Sequence, residues 1–114
     1  MLNFENPTET VRMSTMYLTI TDDQVKDVFA AEAKGEGMVN AGVNNGDTLF
    51  FLKCNKFRSG EIVAVNVNGE DVVRRIFKGR NRVKLCRETG KGEYTFATDY
   101  TVHGRLVGIQ RKLD

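Results

Sequence analysis

Residues 35–51 read GEGMVNAGVNNGDTLFF, a glycine-rich stretch that runs without a break into a hydrophobic segment. Gly35, Gly42 and Gly46 permit tight turns, and Asp47 can accept hydrogen bonds from backbone amides in the turn that precedes its strand. The hydrophobic end continues as DTLFFLKC and is followed by EIVAVNV, EDVVRRIF, RVKLC, EYTFA and TVHGRLVGIQ. Each run has strand length, is rich in β-branched and aromatic residues, and in several cases alternates apolar with polar positions. Between Val67 and Glu70 lies Asn68-Gly69, the pair that best suits a two-residue type I′ hairpin. Lys78-Gly79-Arg80-Asn81 and Thr89-Gly90-Lys91-Gly92 mark two further turns. Upstream, Val28 to Lys34 reads as a strand leading into the glycine-rich stretch. Thr21 and Gln24 match a helix-capping box, so TDDQVKD is expected to form a short helical turn. VRMSTMYLTI before it suits a strand or an arm.

Bulk properties narrow the classes. A chain of 114 residues, 40% apolar and 28% charged, fits one folded domain. It divides into an N-terminal arm over 1–27 and a β domain over 28–114. No apolar run reaches the ~20 residues of a membrane helix, and MLNFENPTET is not a secretory signal, so a cytoplasmic setting is expected, with no membrane partner. Cys54, Cys86 and the single His103 form neither a disulfide framework nor a zinc pattern, and no metal or cofactor is expected. The net charge is +2, but the stretch from Lys53 to Arg87 carries ten basic side chains against three acidic ones. Such a segment can attract nucleic acid. It has only Phe57 and Phe77 among its cations and no recognition helix, which favours a solvated face.

Five pieces of the chain, in order, resemble the self-cleaving domain of the LexA/UmuD family of serine-lysine peptidases. They are Gly35-Glu36-Gly37-Met38, then Ala41-Gly42-Val43 with Asn45-Gly46-Asp47, then Ser59-Gly60-Glu61-Ile62-Val63-Ala64-Val65, then Asn68 to Ile76, and finally Val102 to Arg111. The resemblance implies a mostly β fold of short, strongly curved antiparallel strands. It also implies a serine nucleophile where this chain has Gly37 and a lysine base where it has Arg74. Glycine has no oxygen to attack a carbonyl, and a guanidinium offers only donors near neutral pH. Members of the family cut an Ala-Gly or Cys-Gly bond upstream of the serine, whereas the one Ala-Gly pair here, Ala41-Gly42, lies downstream of Gly37.

The expectation is therefore a non-catalytic domain that keeps the family's association role in SOS-type or phage-type regulation. The resemblance implies a homodimer formed partly through the last strand, with Val102, Gly104, Leu106, Val107 and Ile109 on a long hydrophobic run that, if unpaired, would favour a second copy. A repressor portion or a translesion-polymerase partner are its two settings. Two alternatives stand beside it. One is a self-cleaving peptidase with a displaced nucleophile among Thr48, Cys54 and Ser59. The other is nucleic-acid binding through the basic middle segment.

Overall fold

The computed structural model describes residues 12–15 and 22–113. Eight strands form one antiparallel sheet: β1 Arg12–Thr15, β2 Val28–Glu32, β3 Thr48–Lys53, β4 Ile62–Val67, β5 Glu70–Lys78, β6 Val83–Cys86, β7 Tyr94–Ala97 and β8 Tyr100–Leu113. Their order is β2-β3-β8-β4-β5-β6-β7, with β1 paired to the end of β8. The mostly β, antiparallel architecture expected from the sequence is thus the one observed. No helix among the described residues is long and apolar enough to cross a membrane.

Local chemistry explains the connections. Asn68 and Gly69 both take positive φ, 55° and 79°, and close the β4–β5 hairpin with Val67 opposite Glu70. Asn81, at φ 64°, turns β5 into β6, where the Gly79 amide donates to the Arg82 carbonyl at 2.8 Å. The helical turn after Thr21 is a 3₁₀ helix, Asp22–Asp27. Six residues are too few to propagate an α-helix without strong packing. Thr21, and with it half of the capping box, lies outside the described residues, as does most of the 1–27 arm.

The run from Thr101 to Gln110 lies in β8, which is not unpaired but stands between β3 and β4 in the sheet order. Residues from Gly104 to Gln110 pair with β3, and residues from Tyr100 to Arg105 pair with β4 on the opposite side. Val102, Val107 and Ile109 are buried in the chain's own core, and Gly104 is wedged between neighbouring strands. Register shifts opposite Phe50/Phe51 and Ala64/Val65 give β8 an extra residue at two places, and such bulges bend a strand and increase its twist. β8 consequently serves three apolar clusters. One gathers Val63, Val65, Ile76, Leu85 and Val102, the second Met38, Leu49, Phe51 and Ile109, and the third Phe50, Leu52 and Val107.

Candidate functional site

The glycine-rich stretch folds as a loop between β2 and β3 that is tied down at both ends. Gly35, Gly42 and Gly46 have φ of 83°, 89° and 92°, the left-handed region that only glycine enters without strain. The Gly35 amide donates to Asn45 Oδ1 at 2.7 Å. The Asn44 amide donates to Asp47 Oδ2 at 2.7 Å, the turn contact anticipated for this aspartate. Asp47 is almost fully buried and also accepts two hydrogen bonds from Arg111 of β8, Nε to Oδ1 and Nη2 to Oδ2, each at 2.8 Å. The same Arg111 Nη2 donates to the Gly42 carbonyl at 2.8 Å, so one guanidinium clasps the loop at two points. The hydrogen bonds and charge of Arg111, with the Asn44 amide, hold the Asp47 carboxyl below its ordinary value against the opposing effect of burial. Met38, 4% exposed, plugs the loop into the core beside Val43 and Leu49.

Gly37 sits at the mouth of a cleft of about 350 Å³. Its carbonyl accepts from the Glu88 amide at 2.8 Å, and the Asn40 amide donates to the Glu88 carbonyl at 2.6 Å. These two bonds stitch the loop to the segment after β6 and bring Arg87 to the cleft. A Cβ on Gly37 would lie 3.3 Å from Nε and Nη2 of Arg87 and 3.5 Å from Nη1 of Arg74. Gly37 and Arg74, 37 positions apart in the sequence, therefore lie close together in the cleft. Arg87 is a third member of the group that sequence reasoning missed. Its only sequence signal is a basic residue just beyond a strand end, which is too common to be informative.

Arg74 is half-buried, and Nη1 donates to the Val73 carbonyl at 2.7 Å. Burial first, and then the Arg87 charge, hold its guanidinium below its ordinary value. Arg87 makes a loose ion pair with Glu93, Nη1 to Oε2 at 3.8 Å, in which both side chains are exposed. The remaining charged residues of the cleft are Glu32, Lys34, Glu70 and Asp71, and its apolar wall includes Ala33, Met38, Val43, Leu49, Val72 and Val73.

Thr48, Cys54 and Ser59 are not among the residues lining this cleft. Thr48 is paired within the sheet to Glu32 and Gln110. Ser59 Oγ accepts from the Lys78 amide at 2.8 Å, and Cys54 Sγ donates to the Lys56 carbonyl at 3.3 Å. His103 has a neighbour that the sequence did not reveal: Nε2 lies 3.3 Å from Asp71 Oδ1, an exposed contact of little energetic weight. The basic middle segment also looks different in three dimensions. Lys78 lies 5.1 Å from the ring centroid of the segment's own Phe57, and further aromatic residues arrive from β7, with Arg82 3.7 Å from the Phe96 ring centroid and Lys84 4.4 Å from that of Tyr94. The chain's own cations thus cover these rings, leaving less open aromatic face for a base to stack on.

The geometry agrees with comparisons to known proteins. The Peptidase S24-like family profile matches residues 3–106. The LexA repressor of Clostridium kluyveri is 31% identical over 101 residues, covering 86% of this chain and 50% of the relative. The LexA repressor of Clostridium botulinum is 34% identical over 87 residues, covering 76% and 43%. That of Desulfitobacterium hafniense is 33% identical over 86 residues, covering 75% and 42%. The chain spans about half the length of the curated relatives it matches. Motif order, antiparallel fold and family match converge: this chain is a LexA/UmuD-like domain and belongs to the peptidase S24-like family.

Proposed function

We propose that the chain is a non-catalytic LexA/UmuD-like domain acting in the cytoplasm through association, with a second copy or with a protein partner, in SOS-type or phage-type regulation. The observation that carries this reading is the cleft itself. A peptidase of this kind needs an oxygen nucleophile and a base with a free lone pair, and the matching positions hold Gly37 and Arg74. Moving the motif by one residue would bring Arg75, another guanidinium, to the base position. A peptide carrying an Ala-Gly bond, incubated with the chain, is expected to stay whole by mass spectrometry. A specific cut that disappears on changing Thr48, Cys54 or Ser59 would instead identify a displaced nucleophile.

Association is the retained role. β3 pairs with Gly104 to Gln110 and β4 with Tyr100 to Arg105, so the two strands flank the same stretch of β8 only at Gly104 and Arg105. Val102, Gly104, Val107 and Ile109 are buried in the chain's own core, and half-buried Leu106 is the part of the run left for contact with another copy, since β1 already pairs with the Arg111–Leu113 end. Sedimentation at tens of micromolar is expected to show a dimer, and a strict monomer would contradict the homodimeric reading. The partner class is open to a genetic observation: a neighbouring translesion-polymerase gene favours a free-standing subunit, and an upstream helix-turn-helix in the same frame favours a repressor.

A further inference from the structure

Two guanidinium groups converge on one point in the cleft. The position of a Cβ on Gly37 lies within 3.5 Å of both Arg74 and Arg87, although like charges repel and each would be better solvated apart. Among the described residues neither has a close carboxylate partner there: Arg74 donates to a backbone carbonyl and feels Glu70 and Glu93 only through their charge, and Arg87 pairs with Glu93 at 3.8 Å with both side chains exposed. Both arginines line the open cleft beside Gly37, so a ligand entering the cleft meets the two of them together. We propose that the Arg74–Arg87 pair is a carboxylate receptor, taking the carboxylate of a peptide whose apolar neighbouring side chain lies against half-buried Val72 and Val73.

Charge and surface select this ligand. Paired guanidinium donors match a carboxylate's two oxygens, and such bonds strengthen away from bulk water. Glu32, Glu70 and Asp71 line the same cleft and oppose Lys34, Arg74 and Arg87, so a monoanion is tolerated better than a phosphate dianion. The apolar wall rewards a hydrocarbon side chain next to the charge. The inference rests on the non-catalytic reading, since a cleft that hydrolysed peptides would release acids instead of holding them.

The test is calorimetric titration of the full chain with four probes: N-acetyl-Ala-Val as the free acid, the same dipeptide as its amide, N-acetyl-Glu amide, and inorganic phosphate. The acid or the glutamate peptide is expected to bind at least about tenfold more tightly than the dipeptide amide, with the tighter of the two showing whether a chain terminus or an acidic side chain is the source. Arg87→Gln, at an exposed position whose loss leaves the fold intact, is expected to weaken that binding about tenfold or more, and added salt to weaken it further. Binding of both carboxylate peptides no tighter than that of the dipeptide amide, tighter binding of phosphate, or no change in Arg87→Gln would overturn the proposal. Mass analysis of the recovered amide separates the two claims: whole peptide with no preference for a carboxylate refutes the receptor alone, while cut peptide refutes the non-catalytic reading.

Discussion

Replacing Gly104 by alanine is expected to destabilise the chain by about 3 kcal/mol, lowering the thermal midpoint by on the order of 10 °C. The added Cβ would stand 2.7 Å from the Leu52 carbonyl oxygen and 2.9 Å from a ring carbon of Phe29. The first of these is backbone of β3, the strand hydrogen-bonded to β8 at this point, with Lys53 opposite Gly104. A flexible side chain could swing aside, but a paired strand must move as a unit and disturb its pairing with β2 on its far side. Ala64 of β4 is the other partner of Gly104, so β8 has no slack on that side either. Calorimetry of Gly104→Ala against the parent chain checks this, and an unchanged midpoint would mean that β3 and β8 are not in close contact there.

Asp47→Ala is expected to cost a similar amount, about 3 kcal/mol, because it removes the one buried carboxylate that joins the glycine-rich loop to β8. The loss strands the Asn44 amide and the Arg111 guanidinium, although Arg111, whose side chain is 36% exposed, can still turn toward water. This escape keeps the cost at the low end for a broken buried pair. The pH dependence has a definite sign. The folded carboxyl is held below the ordinary aspartate value of about 3.9, so the unfolded chain binds more protons at acidic pH. The stabilisation is complete above that ordinary value and is lost as pH falls through the lower, folded value. Acid titration followed by circular dichroism is expected to show a flatter decline for Asp47→Ala than for the parent. Parallel curves would exclude Asp47 as a source of acid sensitivity.

The parts of the molecule legible in the sequence are those written locally or carried by motif order. Asn68-Gly69 dictated its own turn, because both residues accept positive φ at little cost. Gly37 and Arg74 were singled out by five motif pieces in order, and the structure puts them close together. Arg111 was not legible, since it reaches Asp47 across 64 positions and no local pattern ties an arginine near the end of a strand to a distant turn. Arg87 was hidden for a related reason: it is delivered by hydrogen bonds between the loop and Glu88 outside any regular strand. The interior place of β8 left one trace in the sequence. Val107, Gly108 and Ile109 are buried in succession, breaking the alternation of a one-sided strand, and the bulge beside them gives the physical cause.

The most direct test of the central claim, that the cleft keeps its frame without a nucleophile or a base, is the intact mass of the purified chain after prolonged incubation at neutral and at alkaline pH. Alkaline conditions would favour any lysine-type base by stripping its proton, so they give hidden chemistry its best chance. A single unchanged mass at both pH values is the predicted result. A specific internal cut whose rate rises with pH and does not depend on added protease would contradict it.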